Sequence, residues 1–406
     1  MDPRSAHSYR LIFSEVRIAV IYDCLFPVST GGGERQYAAF ARRFAEAGHD
    51  VKYLTRRQWA THPPKVRGVD VEAIAGSAEL HDDAGNRRLG PAVWFALRIF
   101  GHLLLRRGRY DAVLVSALPA LNVPALRLAL LGRPVVICVD FLEVWRPQQW
   151  VDYAGPVAGR IARQLQRLAV VLAPLASCHS AMNGARLRAE GLRTSPIVSP
   201  GLIETTNPAE PVLTAIEPPT VVFAGRMIPD KRVDTIPAAI GWARRDLPTL
   251  RARLLGDGQQ RPTVQREVDR LGLQDVIDLP GFVDEAELTR TLRAASCLIN
   301  PSQREGYGIV VVEANALGTP AILVEAPDNA SIELISPGVN GVVAASTDSA
   351  VLGRAIVDVV TAGAALRAST YAWYADAVQT KTMSAAADGI LAAMEARRRQ
   401  RSIVDT

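Results

Sequence analysis

Short runs of β-branched and aliphatic residues alternate with longer amphipathic runs along nearly the whole chain, and the alternation breaks off once, between residues 202 and 219. Few architectures accept such a pattern. Strands that alternate with helices pair in parallel, with the helices packed on the faces of a doubly wound sheet. The first series comprises "VRIAVIYD" (16–23), "DVKYLT" (50–55), "YDAVLVS" (110–116), "PVVICVD" (134–140), "VVLAPLAS" (170–177) and "PIVSP" (196–200). After the first strand comes a helix with Tyr37, Phe40, Ala41 and Phe44 on one stripe, closed by Gly48. The second series is "TVVFAG" (220–225), "RARLLGDG" (251–258), "DVIDLPGF" (275–282), "SCLINPS" (296–302) and "AILVEAP" (321–327).

A chain of 406 residues exceeds what one ordinary core organises. The expected division is an extension at 1–15, a first Rossmann-like domain at 16–201, a linker at 202–219 and a second domain at 220–370. Helices at 371–400 then return to the first domain. The linker, "LIETTNPAEPVLTAIEPP", holds four prolines and no sustained period. In such a pair the default ligand site is the cleft between domains, where loops at the carboxyl ends of the strands converge.

Composition narrows the function. The formal charge of +5 comes without a basic block inside the fold, so no nucleic-acid partner is expected. The run Arg397–Arg401 reads as a solvated tail. Cys24, Cys138, Cys178 and Cys297 stand singly, without metal or disulfide spacing, as in a reduced cytoplasmic protein. The most lipid-like window, 93–105, is too short to span a bilayer and carries Arg98 and His102. It reads as a core helix, with attachment to the inner face of a membrane as the lesser reading.

Three strand ends carry unusual chemistry. Gly31-Gly32-Gly33 follows the first strand, Arg226 and Lys231 follow 220–225, and Glu305 with Gly306-Tyr307-Gly308 follows 296–302. Glycines at a strand-to-helix turn let backbone amides approach an anion, and the helix dipole favours negative charge there. Arginine and lysine at the same edge complete a diphosphate site. In "PSQREGYGIVVVEANALGTP" (301–320), Val310–Val312 have strand propensity, yet Gly318 and Pro320 are helix-stop signals. A helix from about Gly308 places Glu313 one turn in and Glu305 in the loop before it. Either these acids face ligand hydroxyls, or Glu313 merely favours the positive helix end and Glu305 is a loop charge. The residues alone leave both readings open.

The ordered stretches "GGGERQ" (31–36), "GRMIPDKRVD" (225–234), "LLGDGQQ" (254–260), "LPGFVDEAEL" (279–288), "NPSQREGYGIVVVEANALGTPAI" (300–322), "IELISPGVNGVV" (332–343) and "YAWYADAV" (371–378) resemble a known pattern. They are similar to retaining glycosyltransferases of the GT-B fold, family four, which includes bacterial-type sucrose and glycogen synthases. The resemblance implies an α/β GT-B fold, with two Rossmann-like parallel-sheet domains facing a cleft. It also implies sugar transfer from a nucleoside-diphosphate sugar, UDP- or GDP-linked, to an acceptor hydroxyl with the α configuration kept. No bound metal or other cofactor is implied; the nucleotide sugar is a co-substrate.

By the same resemblance, Arg226 and Lys231 bind the donor diphosphate, Glu313 the ribose, and Glu305 the donor sugar beside the anomeric carbon. The amides of Gly306, Tyr307, Gly308, Ile309 and Val310 line sugar and phosphates. Phe282 and Val283 lie by the base, and Gly32 and Gly33 approach from the other domain. Glu34, Asp140, Leu142 and Glu143 belong to the acceptor side, where the acceptor is a small molecule, glycan or glycolipid. One departure stands out: in "VVICVDFLEVW" (135–145) related sequences often carry histidine where this chain has Leu142. A second reading is therefore a sugar-nucleotide-binding scaffold with impaired turnover. A dinucleotide oxidoreductase fits less well, because "STGGGERQ" lacks the G-x-G-x-x-G spacing. His179, Trp145, Trp150 and Asp257 read as structural, and "RPQQWVDYAG" (146–155) as an irregular loop.

Overall fold

The computed structural model describes residues 15–29, 31–80, 87–204, 210–214 and 216–404. Of the expected extension at 1–15 all but Glu15 lies outside the described residues, as do 205–209 and 215 of the proline-rich stretch. The first sheet has seven strands, all parallel: β1 (Arg17–Ile21), β2 (Asp50–Arg56), β3 (Val69–Ala75), β4 (Ala112–Ser116), β5 (Val136–Phe141), β6 (Leu175–Cys178) and β7 (Ile197–Val198). Their order is β3-β2-β1-β4-β5-β6-β7. Six helices interleave: α1 (Gly32–Glu46), α2 (Leu89–Leu105), α3 (Asn122–Ala129), α4 (Pro147–Ala154), α5 (Pro156–Leu172) and α6 (Ala181–Ala189).

The second unit continues with β8 (Thr220–Ala224), β9 (Arg251–Leu255), β10 (Ile277–Gly281), β11 (Cys297–Asn300), β12 (Arg304–Glu305), β13 (Ala321–Val324), β14 (Asp328–Asn329) and β15 (Gly341–Ala344). Six of these form a parallel sheet in the order β10-β9-β8-β11-β13-β15, and β12 pairs with β14 beside it. Its helices are α7 (Ile236–Ala243), α8 (Arg261–Arg270), α9 (Glu285–Arg293), α10 (Ile309–Ala316), α11 (Ser349–Thr380) and α12 (Met383–Val404). Helix α11 is two segments joined at Gly363.

Burial on both faces explains why the strands are apolar throughout rather than alternating. On one face of the first sheet, Phe95, Ile99 and Leu103 of α2, Val123 and Leu126 of α3 and Val170 of α5 bury against Ile21, Val113 and Val139. On the other face, Tyr37, Phe40 and Phe44 of α1 and Ile390 and Met394 of α12 bury against Val20, Tyr53 and Leu114. Helix α12 belongs late in the chain but packs on the first sheet, and Arg43 Nε donates to Asp388 Oδ1 at 2.8 Å. The chain crosses between sheets twice, side by side: Ile203 N donates to Lys381 O and Met383 N to Ile203 O, each at 3.0 Å.

Several expectations are corrected. Residues 170–172 end α5 rather than open a strand; only Leu175–Cys178 is extended. The stretch 146–155 is not an irregular loop but contains α4, started by Pro147 and ended by Gly155. The terminal arginines are not a free tail: they lie in α12, where Arg401 Nη1 donates to Val135 O at 2.9 Å. Helix α2 is only half core, because Trp94, Leu97 and Leu105 are exposed. Strand β3 was not anticipated. The four cysteines are all free and buried.

Candidate functional site

Val310–Val312 resolve as helix, not strand. Gly308 sits at φ 94°, a left-handed conformation that turns the chain out of β12 and into α10. At the far end Gly318 (φ 74°) stops the helix, and Asn315 Nδ2 donates to Thr319 O at 3.0 Å. Val311 and Val312 are buried beneath the helix, so β-branched propensity yields to packing and capping. The start of α10 faces the first sheet, where Ile309 Cδ1 lies 2.9 Å from the place a Cβ on Gly32 would take, and Val311 N donates to Gly308 O at 3.0 Å.

Of the residues read from the sequence, Lys231 and Glu305 meet beside that helix start. Arg226 follows β8; its side chain is exposed and pairs with no described acid. Lys231 ends a single turn at Pro229–Lys231 and its Nζ donates to Glu305 Oε2. The turn is held against the Glu305 segment by Asp230, whose carbonyl accepts from Gln303 N at 2.7 Å and whose carboxylate takes Arg304 Nη2 at 2.5 Å. Phe282 stands 73% exposed beyond β10, while Val283 packs on the core. Tyr307 is largely buried, its Oη accepting from Leu202 N at 2.9 Å; burial pushes its phenol up to about 12.

The first unit closes on the other side. Gly32 and Gly33 form the first turn of α1. A Cβ on Gly32 would lie 2.9 Å from Ile309 Cδ1, and one on Gly33 would lie 2.8 Å from Tyr22 Oη and 3.3 Å from Leu142 Cδ1. Across the floor, a Cβ on Gly306 would lie 2.9 Å from both Leu142 O and Glu143 Cγ. Leu142 and Glu143 thus meet the glycine turn of the opposite sheet. Glu143 accepts from Trp145 Nε1 at 2.7 Å, with Arg304 Nε 3.9 Å away. Burial raises its carboxyl above the usual range, against the pull of Arg304 and Trp145. Glu34 accepts from Ser29 Oγ at 2.8 Å at the edge of the same turn.

Asp140 is not part of this surface. It is fully buried, one residue before the end of β5. Its carboxylate receives Ser177 Oγ at 2.5 Å, Tyr37 Oη at 2.8 Å and Gln36 Nε2 at 3.1 Å, with His179 Nε2 3.0 Å away. Burial alone would raise its pKa; His179 and the hydroxyl donors outweigh this and hold it below the ordinary value. Asp140 and His179 hold strands and α1 together, so the acceptor role expected for Asp140 has no surface to act on. Asp257 is a turn residue: it accepts from Gly258 N at 2.7 Å and pairs with Arg261 at 3.1 Å.

Sequence reasoning overlooked the residues that bridge the two units. Arg35 Nη1 donates to Glu313 Oε1 at 2.8 Å and lies 3.6 Å from Glu204. Arg146 and Arg186 both reach Asp328, at 2.7 and 2.6 Å. Glu333 accepts from the free amides of Ala181 and Met182 at the start of α6, at 2.8 and 2.9 Å. Arg304 lies over the Trp145 ring at 4.1 Å. The legible signal was Arg35, in the first turn of the glycine-led helix. Asp328 lies in β14 and Glu333 in the 3-10 turn that follows it, and no local pattern reveals their partners.

The comparisons with known proteins follow the same division. Residues 31–201 match the glycosyl transferase 4-like domain, and residues 209–372 match the glycosyl transferases group 1 model. The chain belongs to the group 1 glycosyltransferases. Glycogen synthase of Mycobacterium tuberculosis is 26% identical over 359 residues, covering 82% of this chain and 83% of that protein. The D-inositol 3-phosphate glycosyltransferase of Streptomyces avermitilis is 31% identical over 197 residues, 44% of this chain and 41% of that enzyme. Sucrose-phosphate synthase from Thermosynechococcus elongatus superposes with a TM-score of 0.74 at 17% identity, over 96% of this chain and 100% of that one. HepE of Anabaena, solved with UDP and glucose, gives 0.69 at 17% identity, over 94% and 100%. These likenesses establish the GT-B fold for this member of the group 1 glycosyltransferases.

Proposed function

We propose that this group 1 glycosyltransferase takes a sugar from a nucleoside-diphosphate sugar, UDP- or GDP-linked, and passes it to an acceptor hydroxyl with the anomeric configuration kept. The observation that carries the reading is the meeting of the α10 start with the Gly32–Gly33 turn, where Lys231 pairs with Glu305 and Arg35 with Glu313, while Arg226 stands exposed after β8. That set supplies cations and amide dipoles for a diphosphate, one carboxylate for a ribose diol and one for a sugar. The solved complex of HepE with UDP and glucose supports the donor class.

In this reading the bond between the anomeric carbon and the diphosphate oxygen breaks, and its electron pair stays on the diphosphate. Arg226, Lys231 and the α10 amides stabilise that charge in a site sheltered from water. Glu305 faces the positive charge developing at the anomeric carbon. The acceptor oxygen bonds to that carbon from the face the diphosphate leaves, and its proton passes to a diphosphate oxygen. No metal has a part in these steps. Lys231 pairs with Glu305 and Arg35 with Glu313, so donor binding exchanges protein ion pairs for ligand contacts and selects against partial donors. The acceptor is a small molecule, a glycan or a glycolipid, and the reaction runs on the cytoplasmic side.

Leu142 favours a second reading, a donor-binding scaffold of low turnover, because an apolar side chain stands against Gly33 on the cleft floor. Release of nucleoside diphosphate from a panel of UDP- and GDP-sugars, followed by anomeric proton NMR of the product, decides between them. The transfer reading requires release and an α product. Inversion, or binding without release even in Leu142→His, overturns it.

A further inference from the structure

The layer formed by α2, α3 and α5 has an outer surface that sugar transfer does not use. None of the three helices contains an aspartate or glutamate, yet they carry Arg98, Arg127, Arg160, Arg163 and Arg167. Arg106, Arg107, Arg109 and Arg133 follow at the ends of α2 and α3. A chain of net charge +5 thus concentrates cations on one face. Among the described residues, two acids reach the layer from outside: Glu72 of β3, 3.6 Å from Arg106, and Glu190 after α6, 3.8 Å from Arg163. Arg98 and Arg107 donate to the carbonyls of Ile74 and Ala129. Arg109, Arg133, Arg160 and Arg167 have no described acid within ion-pair distance.

The same surface is apolar. While the inner stripes of these helices fill the core, Trp94, Leu97, Leu128, Leu131, Val157 and Ile161 stand 52–70% exposed on the outside. A surface helix of a soluble domain normally turns a polar face to water, and a broad exposed apolar patch marks an interaction surface. Arginines interleaved with leucines and a tryptophan suit a sheet of phosphate headgroups above acyl chains: guanidinia stay with the phosphates while their stems and neighbours enter the apolar layer. A second copy of the chain would set arginine against arginine, which charge repulsion opposes.

We propose that the α2–α3–α5 face docks on the anionic surface of a lipid bilayer. The docked face continues to the cleft. Helix α5 starts directly beyond α4, whose Trp150 and Tyr153 lie 4.5 and 5.1 Å from the Trp145 ring, and Trp145 lies beneath Arg304 of the opposite unit. Docking therefore sets the cleft mouth against the headgroups. This inference stands apart from the transfer reading and fails or holds without it.

Flotation of the purified full chain with vesicles of phosphatidylcholine alone, or mixed with phosphatidylglycerol, tests it. The protein should rise with the anionic vesicles, stay behind with the neutral ones, and detach as salt screens the arginines. The pair Arg160→Ala and Arg167→Ala should weaken partitioning on the order of 30-fold. The pair Leu97→Glu and Ile161→Glu should abolish it. Both pairs sit at exposed positions, so melting and nucleotide release should match the wild type. No flotation with anionic vesicles, or equal flotation of wild type and variants, overturns the proposal. A dimer lost in Leu97→Glu without any vesicle binding also overturns it and gives the face to a second copy.

Discussion

Gly306→Ala tests whether the two units must close to the distance seen here. The added Cβ would lie 2.9 Å from Leu142 O and 2.9 Å from Glu143 Cγ, where comfortable contacts begin near 3.4 Å. Neither neighbour can swing away cheaply, because one is backbone at the end of β5 and the other is the root of a side chain pinned by Trp145. The walls must therefore part by about 0.5 Å. A displacement of about 1 Å at reacting groups costs on the order of 100-fold, so half of it should cost on the order of 10-fold in kcat/KM. Gly32→Ala is the control. Its Cβ meets only Ile309 Cδ1, at 2.9 Å, and that terminal methyl can rotate, so its loss should stay within about threefold. The assay is nucleoside diphosphate release with saturating acceptor, beside thermal melting, which neither variant should change. Gly306→Ala at the wild-type rate, or Gly32→Ala equally impaired, would refute the argument from closure.

Three further outcomes are expected. Asp140→Ala orphans the donors around a fully buried carboxylate and should lower the free energy of unfolding by about 3–5 kcal/mol at neutral pH. Because the Asp140 carboxyl is held below its ordinary value, its contribution is present above the unfolded pKa of about 4 and lost as pH falls through the folded one. The gap between variant and wild type in urea titrations should therefore narrow in acid. Glu143, raised by burial, should give kcat/KM an acid limb above the usual carboxylate range, and Glu143→Gln should remove that limb from the pH profile. Asp328→Ala removes the acid shared by Arg146 and Arg186 across the cleft. With Arg146 half-exposed, a loss of about 1 kcal/mol should raise the donor KM about fivefold and widen the X-ray scattering radius, with melting little changed.

The fold was readable because burial on both sheet faces leaves its mark as unbroken apolar runs, and because Gly308, Gly318 and the proline-rich stretch punctuate them. Misreadings arose where local preference and packing disagree. Val170–Leu172 prefer a strand as isolated residues, yet they end α5; Val310–Val312 share that preference, but Gly318 and Pro320 mark the helix from about Gly308 that α10 forms. Asp140 was placed with Glu143 on the acceptor side by the family resemblance. Alternation along β5 and α1 turns it inward to Ser177, Tyr37 and His179, and no spacing in the sequence foretells that meeting. Arg226, Lys231 and the Glu305 loop stand out in the sequence because each follows a strand end; their donor roles, and that of Glu313, come from the family resemblance. The partners Arg35, Arg304 and Asp328 were not legible, since a pair such as Arg35 and Glu313 is defined only when two separately folded sheets face each other. The arginine face was hidden in the same way: α2 reads as core from its composition, and only its place in the layer exposes Trp94 and Leu97.

Calorimetric titration with UDP, GDP, TDP and ADP and with their sugars, using wild type, Arg226→Ala and Glu313→Ala, tests the donor site most directly. The account predicts one nucleoside diphosphate bound well above the others and a loss of at least about tenfold in each variant, since each removes a charge-assisted contact worth roughly 1.5–3 kcal/mol. Absence of binding for every nucleotide, or affinity unchanged in both variants, would contradict it.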